Sequence, residues 1–173
     1  SVAALGNSAF VSGHNSKVDQ VSRAGVVYVI QPDENGDFGV RQVLAASTPG
    51  FPMGFGHAIA ANDNRVVVGT HRRDGRGIPN TGNKIYIFEV NDQGLWQEES
   101  ILTAGASVRG LGLELSLSGN RILAGAGYYD APGAESKGAA FLYEATAEGQ
   151  FVLTRKIVSA DGHADERFGI VAI

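Results

Sequence analysis

The chain has 173 residues, of which 43% are hydrophobic and 18% charged, an ordinary balance for a soluble globular protein in which neither figure suggests disorder. A net charge of −4 argues against general nucleic-acid binding, which gathers a basic excess on one face. The absence of cysteine excludes disulfides and thiolate metal sites, and no apolar run approaches the roughly 18 residues of a spanning helix, so no membrane insertion is expected.

Twenty-four glycines against five prolines, with Val and Ile gathered in short runs, predict many strands joined by turns and almost no helix. In chain order, Ser1 to Leu5 and the run ending Val11-Ser12-Gly13 flank Gly6-Asn7, a hairpin signal because both residues tolerate positive φ. After a polar connection, Asn15 to Arg23, comes the apolar run Val26 to Ile30, then the turn Asp33-Glu34-Asn35-Gly36-Asp37. Phe38 opens a fourth, more polar run that ends on Val43-Leu44.

The same unit is then written again. Phe55-Gly56 leads into His57 to Asn62, and Arg65 to Thr70 follows across Asn62-Asp63-Asn64. The loop 71–82 precedes Lys84 to Phe88, the turn Asn91 to Gly94, and a fourth run from Trp96 to Ile101-Leu102. The third copy starts at Leu111-Gly112, a shift of 56 positions from Phe55, and turns at Gly119-Asn120. It continues through Ala139 to Tyr143 and Phe151 to Ile157-Val158, and a fourth copy opens at Phe168-Gly169.

A period of about 56 to 58 residues is the mark of a repeat architecture. The third run of each copy lacks clean alternation and reads as a strand buried on both faces, whereas the fourth reads as an outermost strand with one solvated face. Each copy is therefore one four-stranded antiparallel sheet, and its neighbours must cover it. The expected fold is all-β: three β-propeller blades plus the first strand of a fourth, part of a larger propeller or assembly, since three fall below the usual four. Regular strand spacing alone would also permit a sandwich, but the long period favours the propeller. The blades are placed at 1–54, 55–110 and 111–167, with 168–173 opening the next.

Phe55-Gly56, Leu111-Gly112 and Phe168-Gly169 carry a resemblance, together with Val68-Gly69-Thr70, Ala124-Gly125-Ala126 and the third strands Gly25 to Val29 and Gly138 to Leu142. Ala160-Asp161-Gly162, followed by Asp165 to Gly169, is similar to the connecting segment of the same family. The chain resembles the FG-GAP repeats of integrin-α-like propellers, in the calcium-free form of bacterial extracellular proteins. That resemblance implies a secreted or cell-surface location. His14, His71 and Gly127 stand where the family often has proline. An Asp-x-Asp-x-Asp-Gly loop is missing, so no metal and no cofactor are expected. Phe55, Leu111 and Phe168 read as knobs between blades, and Gly56, Gly112 and Gly169 as places of close backbone approach.

No nucleophile elbow, zinc-protease helix or phosphate-cradling loop is present, so no enzyme is expected and no catalytic residue is assigned. The long connections between second and third strands are the binding candidates, because they vary between copies and would share one end of a propeller. Arg72, Arg73 and Arg76 form a basic group suited to a carboxylate, sulfate or phosphate. Tyr128, Tyr129 and Asp130 form an aromatic and acidic group suited to a sugar face or a protein anchor. The reading is a non-enzymatic binding, adhesion or assembly module. Its expected partners are a protein or further propeller blades, with a glycan or self-assembly by strand donation as alternatives.

Overall fold

The computed structural model describes residues 1–50, 53–62, 64–71, 83–105, 108–130, 136–161, 163 and 166–169. Among these residues there is no helix. Twelve strands form three four-stranded antiparallel sheets, each meandering in chain order from first strand to fourth. Sheet 1 holds β1 (Val2–Leu5), β2 (Ser8–Gly13), β3 (Val26–Pro32) and β4 (Phe38–Leu44). In sheet 2 are β5 (Ile59–Asn62), β6 (Arg65–Gly69), β7 (Ile85–Val90) and β8 (Trp96–Leu102). Sheet 3 consists of β9 (Leu111–Ser118), β10 (Arg121–Ala126), β11 (Ala139–Ala145) and β12 (Phe151–Ile157).

The first two strands of each sheet are joined by two-residue turns, between Leu5 and Ser8, Asn62 and Arg65, and Ser118 and Arg121. Gly6 and Gly119 take φ of 54° and 52° there, the left-handed backbone such turns require. The third-to-fourth turns are closed by side chains. Asp33 Oδ1 accepts the N–H groups of Asn35 and Asp37, and Asn91 Oδ1 accepts those of Gln93 and Leu95. Asp33 is held below the usual carboxylate range by the Asp37 and Asn35 N–H groups. A bulge recurs at one place in all three sheets, opposite Val29/Ile30, Ile87/Phe88 and Leu142/Tyr143, where the fourth strand carries one extra residue and the pairing then resumes.

Strand alternation sends successive side chains to opposite sheet faces, and sheet 2 uses both. Val66, Val68, Tyr86 and Phe88 pack with Phe10, Val27 and Val29 of sheet 1. Val67, Ile85 and Ile87 pack with Ile122, Ala124 and Phe141 of sheet 3. The expectation that third strands are buried on both faces therefore holds for β7 but not for β3, whose Tyr28 and Ile30 are half-buried on a face no described sheet covers.

The repeated dipeptides bind the sheets in series. Phe55 N–H donates to the Ala24 carbonyl (2.9 Å), and Phe168 N–H to that of Lys137 (2.9 Å). Both dipeptides so dock on the preceding sheet's second-to-third connection. A Cβ built on Gly25 would lie 2.2 Å from the Phe55 carbonyl oxygen, and one on Gly138 2.0 Å from that of Phe168, so both contacts require glycine. The Phe55 ring is fully buried edge-on to Tyr86 and Phe88, and Leu111 is equally buried. Phe168 departs from the expected knob: it is only half-buried, because no described sheet closes over its ring. The expected strand beyond it, 170–173, lies outside the described residues, and no closed propeller is formed among those described.

Candidate functional site

The second-to-third connections and the Phe-Gly seats occupy the same end of the sheets, and there side chains from successive repeats form one row. His57 follows the Phe55-Gly56 seat, and its ring centroid lies 4.8 Å from that of His71, which stands just past β6. The His71 ring is nearly parallel to Tyr128, 5° between planes and 6.2 Å between centroids. Arg167, just ahead of Phe168, sets its guanidinium carbon 5.2 Å from the Tyr128 ring centroid. The row thus runs from the start of sheet 2 to the seat beyond sheet 3.

Two further pairs flank it. Tyr129 packs edge-on to Phe141 (6.0 Å). Its hydroxyl accepts from Lys156 Nζ at 2.9 Å, and the ammonium also lies 5.0 Å from the ring centroid. Asp130 Oδ2 accepts from Arg109 at 2.6 Å and Oδ1 from the Ser136 N–H at 2.9 Å. These bonds, that from Ser136 first, hold the Asp130 carboxyl below its ordinary range.

Tyr128, Tyr129 and Asp130 are therefore together, as the sequence suggested, but each is engaged within the chain. Tyr128 stacks, Tyr129 anchors its loop to β12, and Asp130 ties the connection to the segment before β9. Arg72, Arg73 and Arg76 lie outside the described residues, as do Asp63, Ala131, Pro132 and Asp165. Phe55, Gly56, Leu111, Gly112 and Gly169 sit at sheet junctions, and among the described residues none of them reaches the row.

Arg167, Arg109 and Lys156 escaped the sequence reading, and Arg167 had a legible signal. Its place before the dipeptide is Gly54 and Gly110 in the other copies, with φ of 58° and 78°, whereas Arg167 adopts 55°. A non-glycine residue in that left-handed region costs about 1–2 kcal/mol. The third copy carries that strain where its siblings avoid it, and the strained side chain is the one that ends the row.

The chain matches no protein-family model and no curated protein.

Proposed function

We propose that the chain is a non-enzymatic extracellular binding or adhesion module built from FG-GAP propeller blades, which holds a carboxylate-bearing protein partner at the blade end carrying the His57, His71, Tyr128 and Arg167 row. The three sheets are its blades 1 to 3. Propeller architecture is supported by the repeated meander, the two face-to-face cores and the recurring Phe-Gly seats. The secreted or cell-surface compartment follows from the likeness to FG-GAP proteins. One observation carries the choice of surface: Arg167 is exposed and held in a left-handed backbone that glycine occupies in the sister repeats, and such local strain is characteristic of functional positions. A guanidinium supplies bidentate donors to a carboxylate, and the stacked rings beside it offer rigid area at low entropy cost.

Arg167→Gly separates the two roles. It is expected to raise stability by about 1 kcal/mol, through relief of the backbone, and to weaken saturable binding of a poly-glutamate peptide about tenfold or more. Unchanged peptide affinity would refute the reading. Binding of neutral oligosaccharides that is lost in Tyr128→Ala, without peptide binding, would replace it with the glycan-binding alternative.

A further inference from the structure

We infer that the outer faces of blades 1 and 3 are the two halves of one blade junction, and that they dock a second copy of this chain head to tail. This does not depend on the ligand proposed above.

The face of blade 2 covered by blade 1 carries the cross-strand row Ile59, Val68, Tyr86, Ile101. By register, the same row in blade 1 is Val2, Val11, Tyr28, Val43. It is as apolar as its counterpart, yet Val2 is 72% and Val43 49% exposed. On the opposite side, the face of blade 2 covered by blade 3 carries Gly69, Ile85 and Leu102. Its counterpart in blade 3 is Gly125, Ala140 and Ile157: the chain's own Gly169 carbonyl already meets Gly125 and Ala140 is buried, whereas Ile157 is 41% exposed. Blade 1 thus presents the face that receives a preceding blade, and blade 3 the face that receives a following one.

A more specific match decides which following blade fits. At the junction of blades 2 and 3, Arg65 pairs with Glu89 of its own sheet. It also donates from Nη1 to Asn120 Oδ1 in the next blade's first turn (3.2 Å), and its guanidinium carbon lies 5.4 Å from the Phe151 ring centroid at the start of that blade's fourth strand. Blade 3 repeats the donor half: Arg121 occupies the place of Arg65 and pairs with Glu144, the counterpart of Glu89, at 2.9 Å. Blade 1 repeats the acceptor half, with Asn7 in the turn and Phe38 opening the fourth strand. Phe38 is 66% exposed, although its counterpart Trp96 is buried edge-on against Phe10. The Arg121 side chain is 67% exposed. Blade 1 lacks the donor half, because Ser8 stands at the arginine position. The chain therefore carries one unfilled arginine and one unfilled Asn-Phe pair on opposite outer faces, and a second copy supplies each to the other. A heterologous contact of this kind closes a ring or extends a fibre.

The test is sedimentation of the full 173-residue chain over a concentration series, with Phe38→Ser and Arg121→Ser variants. Both side chains are exposed, so circular dichroism is expected to show folded variants. The unaltered chain is expected to associate as concentration rises, and each variant to associate about tenfold more weakly. An equimolar mixture of the two variants retains one intact pair of faces, and is expected to form a heterodimer that grows no further. A chain that stays monomeric at every concentration overturns the inference, as does a variant that associates like the unaltered chain, or a mixture without heterodimer.

Discussion

Gly69→Ala isolates the close approach between consecutive sheets. Gly69 is buried at the end of β6, where its N–H donates to the Ala58 carbonyl and its own carbonyl accepts from Gly56 and His57. Its φ lies outside the left-handed region, so alanine suffers no backbone strain. At such a site the exchange would by itself stabilise a protein by about 0.4–1 kcal/mol, through lost freedom of the unfolded chain. The added Cβ, however, would stand 2.0 Å from the Gly112 carbonyl oxygen, where ordinary contact begins at 3.4 Å. The difference, 3.4 − 2.0 = 1.4 Å, must come from withdrawal of the β9 backbone, because the clashing atom is not a side chain that can rotate. Overpacking of that kind costs about 1–3 kcal/mol. For a chain of this size each kcal/mol shifts the melting midpoint by about 2–4 °C, so a midpoint roughly 2–12 °C below that of a glycine-to-alanine exchange without the clash is expected. Gly39→Ala is the control, since a Cβ there meets nothing within 4 Å and its φ is unexceptional. Calorimetry or thermal circular dichroism gives both midpoints. If Gly69→Ala melts at or above Gly39→Ala, the sheets are not in the contact argued here.

Phe55→Ala is expected to cost about 3–5 kcal/mol and Phe168→Ala less than half of that, because the Phe55 ring is fully enclosed and the Phe168 ring is not. Urea unfolding of the two variants measures the difference, and equal losses would contradict the geometry. The Asp130 carboxyl, lowered from 3.8 by the Ser136 N–H and Arg109, adds stability above that value and loses it as pH falls through its folded value. Protection of the Ser136 amide, its exchange rate divided into the intrinsic rate at the same pH, should thus hold through neutral pH and fall only below about pH 4. Loss of protection already near pH 6 would show that the bond is not formed.

The three four-stranded sheets were legible because the unit is written three times. Turn pairs such as Gly6-Asn7 and Gly119-Asn120 mark hairpins through backbone chemistry that tertiary packing does not override, and the aromatic openings Phe38, Trp96 and Phe151 fall at the first residue of each fourth strand. Repetition concealed the fates of individual copies. One sequence position is Trp96, buried against Phe10, and also Phe38, open to solvent, and only the presence of a preceding sheet separates them. The row at the sheet ends was half legible. Tyr128 and Asp130 stood out by residue type, whereas Arg167 required comparison with Gly54 and Gly110 and then the φ value to show that an exception had been made. The contact between the His57 and His71 rings had no sequence signal, since the two flank the β5–β6 hairpin on either side and meet through the fold.

The unit of stability in this chain is the junction rather than the sheet. A single four-stranded sheet has two apolar faces, and repeat proteins gain most of their stability from the contacts between neighbours. Sheet 2 shows the contribution of two such contacts: Val66, Val68 and Tyr86 are wholly buried toward sheet 1, and Val67 and Ile85 toward sheet 3. The junctions are not interchangeable. That between blades 1 and 2 uses Trp96 against Phe10, with Gln42 bonded to the Trp96 backbone through both its oxygen and its nitrogen. That between blades 2 and 3 uses Arg65 against Asn120 and Phe151. The two junctions therefore pair different side chains on a shared backbone plan. Of the two kinds of junction, the second is the one whose halves recur on the outer faces of sheets 3 and 1, as Arg121 and as Asn7 with Phe38.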